Sequence, residues 1–394
     1  MQRPEPAATS RLLIRIAPLM SQNKRSLDKT LAGHLERRRA RSQLRHLTIV
    51  PPQAVDFSSN SYLSLSTNPA VQSDFLSRLQ TYAKNAPSTT TVSDRQNVPL
   101  LGSGGSRLLD GNSALAENIE RQIAEFHRAE SGLFFNSAFD ANVGLFGCVP
   151  QVGDVIVYDE LIHASVHDGM KLSRASRRVA FAHNCVRLDQ AQEGSAQTAS
   201  LEAVLRHLAT GDEHYFRTGK KNVFIAVEGL YSMDGDLAPL REIVECVEEY
   251  FPAGNGYIIV DEAHSTGIYG DRGRGLVCHL GLENRVWARI HGFGKAMSCT
   301  GGVLLRSLEQ HNVNPGTDVK SSLRYCSCVS YDSKLSHQLC AQSHLHNIND
   351  IPIAHQHPSN PPVPHGWPRR TASPAHPFIN IIYPRPTYLG VQSL

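Results

Sequence analysis

The sequence predicts an α/β fold built on a mostly parallel β-sheet. Apolar runs at residues 155–159, 223–228 and 257–261 each end in an acidic residue, and helical stretches lie between them. Short buried strands that alternate with helices are typical of parallel sheets, whose faces the helices cover. In such sheets the chemistry gathers at the carboxyl ends of the strands. The three acidic residues that end these runs therefore mark the predicted functional edge: Asp159, Glu228 and Asp261.

Three regions of different character divide the chain. Residues 1–55 contain a basic helix, predicted over roughly 27–47, and residues 56–305 carry the alternating strands and helices of a large domain. Residues 306–394 hold 8 of the 19 histidines and 11 of the 22 prolines. Proline-rich runs hold neither a helix nor a central strand. We expect this atypical tail to be disordered.

Composition excludes several classes of function. Of the 394 residues, 41% are hydrophobic and 19% are charged, and the formal net charge of +3 is too small to indicate a nucleic-acid partner. The eight cysteines lack metal-ligand spacing, and the histidine pairs of the tail lack a scaffold, so we expect no metal site. No apolar run approaches the ~20 residues that a membrane span needs. Reduced thiols and the absence of a span favour the cytoplasm.

Lys295 is the strongest candidate for catalysis. It follows Asp261 by 34 residues. A lysine amine can condense with an aldehyde cofactor, and a buried aspartate can keep a cofactor's ring nitrogen protonated, so that the ring withdraws electrons. His264, three residues after Asp261, is placed to reach a phenolic oxygen or a reacting substrate group. A single lysine is more often a solvated surface charge, so the prediction depends on the residues around it.

Three weaker signals fit the same kind of cofactor. Residues 136–139 follow a strand and open a helix, where free backbone N–H groups can hold a phosphate. His163 follows another strand and can stack its ring on a planar cofactor, although a structural, hydrogen-bonded histidine is commoner there. Ser232 lies in the turn at residues 228–236 and can donate to a phenolic oxygen, although Asp-Gly pairs are also typical of plain surface turns.

Four segments of the chain, taken together and in their order, match the motifs of a known family: residues 102–107, 228–236, 261–267 and 293–296. They resemble the α-oxoamine synthases, which belong to the fold-type I, aspartate-aminotransferase-like enzymes that depend on pyridoxal 5'-phosphate. The resemblance covers roughly residues 30–305 and is nearest to the branch of 8-amino-7-oxononanoate synthase. It implies a large domain of fold-type I with a mostly parallel sheet.

The resemblance assigns roles around the cofactor. Lys295 would hold it as a Schiff base and also remove the α-proton of the amino acid, while Asp261 would bind the pyridine nitrogen. His163 would stack on the ring. The phenolic oxygen would contact Ser232 and His264. The phosphate would be held near Gly292 and by the backbone N–H groups of two residues that open a helix: Ala138 and Phe139.

The same resemblance implies the reaction and the partners. An amino acid would condense with an acyl thioester, which coenzyme A or a carrier protein would carry. The condensation would release carbon dioxide and an α-aminoketone. This acyl transfer would be of the kind used in biotin biosynthesis. Asn60 and Arg45 match the substrate contacts of the amino-terminal part, with Arg45 recognising a carboxylate. A homodimer would be the assembly.

Two departures from the family pattern stand out. The family has a threonine at the position of Gly292, and losing one hydrogen bond to a phosphate costs about 1.5–3 kcal/mol of affinity. His291 is the candidate to compensate, and Ala138 replaces a common glycine. The 99 residues after Lys295 do not resemble the small domain of the family. We expect that the carboxyl end of this chain is altered and that the small domain is missing. The alternative function is therefore a catalytically impaired relative that acts as a partner of an intact homologue.

Overall fold

The computed structural model describes five stretches of the chain: residues 26–85, 105–109, 111–187, 199–211 and 215–307.

The amino-terminal unit, Met1–Ser59, contains helix α1 over residues 26–40 among its described residues. The helix ends where Ser42 adopts a left-handed backbone with φ 54°. The N–H of Gln43 then donates to the carbonyl of Arg38 at 2.8 Å, which satisfies one of the last free carbonyls of the helix. The predicted helix over 27–47 is right in kind but too long, because Ser42 turns the backbone locally.

The second unit, Asn60–Leu394, has one seven-stranded sheet among its described residues. Its order is β1-β7-β6-β5-β4-β2-β3. The neighbours from β3 to β6 are parallel, and β7 runs antiparallel to both β6 and β1. The predicted mostly parallel sheet is confirmed. The strands are β1 Ser131–Phe135, β2 Val155–Asp159, β3 Arg177–Phe181, β4 Val223–Glu228, β5 Gly256–Asp261, β6 Ala288–Gly292 and β7 Gly302–Arg306.

Helices lie between the strands along the chain and pack on both faces of the sheet. On one face, Ile156, Phe224 and Ile259 pack with side chains of α4 and α5. On the other, Val157 and Ile225 pack with side chains of α6 and α7. Burying both faces explains why these strands are continuously apolar. The helices of this unit are α2 Pro69–Asn85, α3 Ala114–Phe126, α4 Ala138–Cys148, α5 Ala164–Leu172, α6 Leu201–Thr210, α7 Leu240–Tyr250 and the short α8 Leu276–His279.

Helix α4 begins where the sequence indicated a strand-to-helix turn. Ser137 caps it, because its Oγ accepts the N–H of Asp140 at 3.0 Å. Its own extended backbone (φ −160°, ψ 165°) joins β1 to the helix. Ser137 is a favoured N-cap type, and substitution of such a cap by alanine costs about 1 kcal/mol. This junction places the first N–H groups of α4 at the end of the sheet.

The domain limits of 56–305 and 306–394 remain predictions. The structure describes the chain only to residue 307, so the tail and the question of the small domain lie outside the described residues. Among those that are described, no helix combines the length and the apolar character that crossing a membrane requires.

Candidate active site

A cavity of 450 Å³ lies at the carboxyl ends of strands β4, β5 and β6. The chain reaches it from strand ends, from the start of α4 and from the loop between β6 and β7. Of the ten residues to which the family resemblance assigned a cofactor or substrate contact, eight line this one cavity: Asn60, Ala138, Phe139, His163, Asp261, His264, Gly292 and Lys295.

The other two are placed differently. Ser232 lies in the turn after β4, is exposed, and is not among the residues that line the cavity. Arg45 is exposed and lies in the amino-terminal unit, ahead of the unit that contains the cavity.

Lys295 lies in the loop between β6 and β7. The loop is closed at its base by the N–H of Phe293, which donates to the carbonyl of Gly301 at 3.0 Å. Burial lowers the pKa of Lys295, and the nearby carboxyl groups of Asp261 and Glu228 oppose that shift. Desolvation disfavours the ammonium form, so the amine loses its proton more readily than a surface lysine.

Asp261 ends strand β5 with only 6% of its surface exposed. Its Oδ1 accepts the N–H of Ala263 at 2.9 Å, and its Oδ2 accepts a hydrogen bond from Asn142 Nδ2 at 2.7 Å. A buried carboxylate needs such donors or a cation. Asp261 is therefore a fixed acceptor in the cavity wall.

Two histidines of the cavity favour their neutral forms. Burial lowers the pKa of His163, against the attraction of Asp261 and together with the repulsion of Lys295. Burial, with further repulsion from Lys295 and His163, lowers the pKa of His264 to about 4. Its Nδ1 lies 2.8 Å from Tyr62 Oη. Both rings are consequently neutral at pH 7.

Glu228 also lines the cavity; the sequence placed it at the functional edge but assigned it no role. It ends strand β4 with 3% of its surface exposed. Burial and the neighbouring Asp261 raise its pKa to about 8, although Lys295 opposes the shift. Its position at a strand end was the available signal. The sequence could not show that the carboxyl group is buried beside another acid.

The start of α4 forms another part of the cavity wall. The first N–H groups of a helix lack intrahelical acceptors, and here they belong to Ala138 and Phe139. Asn136 also lines the cavity, and its buried Oδ1 has no hydrogen-bond partner among the described residues. A buried polar atom without a protein partner is expected to form a hydrogen bond with a ligand or water.

Gly292 faces this helix start closely. A Cβ added at Gly292 would lie 3.2 Å from the Cβ atoms of Ala138 and Ala263. The methyl group of Ala138 thus occupies space that a larger residue at 292 would need.

The expectation that His291 compensates for Gly292 is wrong. His291 is completely buried, its ring lies 4.1 Å from that of His127, and its Nδ1 lies 2.8 Å from Thr266 Oγ1. It is not among the residues that line the cavity. Adjacent residues of a strand point to opposite faces of the sheet, and Gly292 takes the cavity side.

No group of three or more His, Cys, Asp or Glu side chains in the described part of the chain is arranged to hold a metal ion.

Residues 52–344 match the family described as Aminotransferase class I and II, and the chain belongs to it. Its relatives place it among the α-oxoamine synthases of that family. The 8-amino-7-oxononanoate synthase of Emericella nidulans is 50% identical over 288 residues, which are 73% of this chain and 63% of that protein. The aminoacyl transferase sphA of Byssochlamys spectabilis is 40% identical over 259 residues, 66% of this chain and 49% of that protein. The chain thus spans from about half to just under two thirds of the length of these relatives.

The fold is also shared with a solved structure. The serine palmitoyltransferase of Sphingomonas wittichii aligns with a TM-score of 0.57 and 24% identity, over 74% of this chain and 61% of that chain. At this identity the comparison shows a shared fold, and the predicted fold-type I large domain is confirmed.

The residues present fit pyridoxal 5'-phosphate, the cofactor of this family. A lysine with a lowered pKa, a buried acceptor carboxylate and a neutral histidine share one cavity. The unpartnered Oδ1 of Asn136 lies at the helix start that faces them. A planar, phosphorylated aldehyde with a ring nitrogen has a partner for each of these groups.

Proposed function

We propose that this chain is a pyridoxal-phosphate-dependent acyltransferase, which condenses an amino acid with an acyl thioester and releases carbon dioxide and an α-aminoketone. The observation that carries the proposal is the common cavity of Lys295, Asp261, His163 and His264. The family membership and the named relatives support the reaction class.

Lys295 has two tasks in this proposal. Bound pyridoxal phosphate supplies an aldehyde for an amine and a protonated ring that withdraws electrons. Because burial lowers the pKa of Lys295, a larger fraction of its amine is uncharged and would be able to bind an aldehyde. As a free base, the same amine could accept the α-proton of the amino acid substrate.

Asp261 and His163 hold the ring. The carboxylate of Asp261, fixed by Ala263 and Asn142, accepts from the protonated ring nitrogen. His163, kept neutral by burial, stacks on the ring without adding a positive charge.

Two further groups place protons near the reacting atoms. His264 is neutral above about pH 4 and can accept or donate a hydrogen bond. Glu228, with a pKa of about 8, is mostly protonated at pH 7 and presents an acidic hydrogen. A neutral acid and a neutral imidazole in one cavity are suited to general acid–base steps.

The phosphate site lies at the start of α4. The N–H groups of Ala138 and Phe139 would receive the anion, since a helix N-terminus favours negative charge. Gly292 contributes no hydroxyl group. We therefore expect weaker cofactor binding than in relatives with a threonine at this position, by about 1.5–3 kcal/mol.

The substrate contacts and the assembly belong to the same proposal. Asn60 lines the cavity and would contact the amino acid, and Arg45 would bind a carboxylate. Ser232, although exposed, keeps its proposed contact with the phenolic oxygen. A homodimer is proposed from the family resemblance.

Absorbance and chemical trapping test the cofactor claim. The full chain, purified with pyridoxal phosphate, should develop a visible band that borohydride reduction fixes to the peptide containing Lys295, as mass spectrometry can verify. Lys295→Ala should lack both the band and the adduct, whereas Lys171→Ala, an exposed lysine paired with Asp168, should keep them. Identical spectra for wild type and Lys295→Ala would overturn the proposal.

A product assay separates the two functions that the sequence left open. Glycine, alanine and serine, each with a set of acyl thioesters, should perturb the band, and one pair should yield carbon dioxide and an aminoketone. A chain that shows the trapped band but yields no product with any pair would support the catalytically impaired relative instead.

A further inference from the structure

Asn142 is almost completely buried in α4, and no sequence motif marked it. It lines the cavity with 1% of its surface exposed. Its Nδ2 donates to Asp261 Oδ2 at 2.7 Å and to Ser165 Oγ at 3.0 Å. The orientation of the amide follows from chemistry, because a carboxylate offers only acceptors and the nitrogen must face it.

Ser165 continues the contacts toward His163. It is completely buried near the start of α5, and its Oγ lies 2.7 Å from His163 Nδ1. The backbone N–H of Ser165 also points at the same Nδ1, at 3.2 Å. A backbone N–H can only donate, so His163 Nδ1 must be an acceptor.

The direction of every hydrogen bond is then determined. Ser165 Oγ accepts from Asn142, and its own hydrogen is free to go to His163 Nδ1. In a neutral imidazole with an acceptor at Nδ1, the hydrogen lies on Nε2. Donation therefore runs from Asn142 to Asp261 on one side and, through Ser165, to His163 on the other.

We infer that Asn142 and Ser165 are positioning residues of this site, which hold Asp261 as an oriented acceptor and His163 as its Nε2–H tautomer through one hydrogen-bond chain. Their benefit to cofactor binding rests on the proposed function. Asp261 would accept a hydrogen bond from the ring nitrogen of the cofactor, and His163 would stack on the ring. The hydrogen-bond chain therefore links the two residues that would orient the cofactor. Partners of this kind normally fix the tautomer of a functional histidine.

The tautomer is measurable without cofactor. In the cofactor-free full chain labelled with [¹⁵N]histidine, two-bond ¹H–¹⁵N correlation spectra should place the His163 hydrogen on Nε2. Ser165→Ala should shift the His163 Nδ1 resonance and raise the pKa of His163, because the neutral ring loses the hydroxyl donor and keeps only the backbone N–H of residue 165 at Nδ1. Asn142→Ala should shift the same signals although Asn142 does not contact His163. Asn136→Ala is the same change in the same cavity, at a residue outside this hydrogen-bond chain, and should leave the His163 signals unmoved.

Two results would overturn the inference: a wild-type His163 with its hydrogen on Nδ1, or an Asn142→Ala spectrum in which the His163 signals are unmoved. The wild-type result needs no variant, so a substitution that impairs folding leaves this test intact.

A second measurement concerns the cofactor itself. Loss of one hydrogen bond to a charged partner corresponds to a roughly ten-fold or larger loss of affinity. Asn142→Ala should therefore raise the dissociation constant of pyridoxal phosphate by about ten-fold, and an unchanged constant would contradict the role of Asn142 toward the cofactor. If the wild type shows no trapped band at Lys295, the proposed function fails, whereas the tautomer result for the cofactor-free chain is decided separately.

Discussion

Glu228 ends strand β4 with its carboxyl group buried in the cavity wall beside Asp261 and Lys295. Its pKa is raised from 4.5 to about 8, with burial as the largest cause. The folded protein therefore holds this proton more tightly than the unfolded chain does. By linkage, the stability contributed by Glu228 is largest below about pH 4.5 and falls as the pH rises toward 8.

Replacement of Glu228 by glutamine should remove this pH dependence. Urea unfolding at about pH 5 and about pH 8 should show wild type losing stability relative to Glu228→Gln as the pH rises. The control is the same substitution at an exposed glutamate, Glu245→Gln, which should keep the wild-type dependence of stability on pH. A difference between wild type and Glu228→Gln that stays constant over this range would contradict the assignment.

Gly292 and Ala138 form a packing pair at the end of the cavity where we propose the phosphate binds. A Cβ at 292 meets the methyl of Ala138 at 3.2 Å, a contact tight enough to force a shift in a close-packed site. We expect Gly292→Thr to destabilise the protein by about 1–3 kcal/mol through overpacking. Ala138→Gly should relieve part of that cost.

A double-mutant cycle measures this coupling. Free energies of unfolding for the two single variants and the double variant should be non-additive, with the double variant more stable than Gly292→Thr alone. Simple additivity would show that the two positions do not compete for the same space.

At the scale of elements, one histidine joins three strand ends. His183, just after β3, places Nδ1 2.8 Å from Asp159 Oδ1 at the end of β2 and Nε2 2.7 Å from Asp236 Oδ2 in the turn after β4. The edge of its ring also packs against Tyr231. Burial lowers the pKa of His183, but the hydrogen bonds to both carboxyl groups outweigh it and raise the pKa to about 10. The imidazolium thus holds the turn that carries Ser232.

The stability contributed by His183 and its two carboxyl partners, Asp159 and Asp236, should disappear at high pH. A raised pKa means that the contribution of His183 is fully present below about pH 6.5 and is lost as the pH rises through about 10. We expect His183→Ala to be less stable than wild type at pH 7, and the gap to narrow by about pH 10.5 in thermal unfolding. His207→Ala, at an exposed position of α6, should show no such convergence.

Asn142 and Glu228 show why part of the candidate site could not be predicted. Lys295, Asp261 and His264 were found because their spacing and strand-end positions are visible in the sequence. The importance of Asn142 depends on a contact with Asp261, far along the chain, and that of Glu228 depends on burial. The exposure of Ser232 could not be predicted either, since an Asp-Gly turn is compatible with both a cavity edge and an open surface.

At the scale of the whole molecule, the parallel strands followed from their composition, but the position of β7 did not. Residues 302–306 are apolar enough to be a strand. Their insertion between β6 and β1, antiparallel to both, is a matter of tertiary pairing that no local pattern encodes.

The proposed homodimer has a direct test. Leu47, Ile49 and Phe57 in the amino-terminal unit are close in sequence and almost fully exposed, and apolar side chains that a partner covers are exposed in the separate chain. Light scattering after gel filtration should give twice the monomer mass for wild type and a lower mass for the triple serine variant. Val152→Ser, at a single exposed apolar residue, should keep the wild-type mass, and a monomeric wild type would refute the dimer.

The pairing of Leu133 with Leu304 has a consequence for biosynthesis. A ribosome releases β1 early, yet the strand beside it in the sheet emerges only after β2 to β6 have been made. Until then β1 has no neighbour in the sheet, and the hydrogen bond from Phe293 to Gly301 that closes the lysine loop cannot form. Contacts so distant in sequence form slowly. A nascent chain arrested before residue 301 should hold the parallel strands but not the closed lysine loop, so the cavity can be completed only after residues 301–306 have left the ribosome.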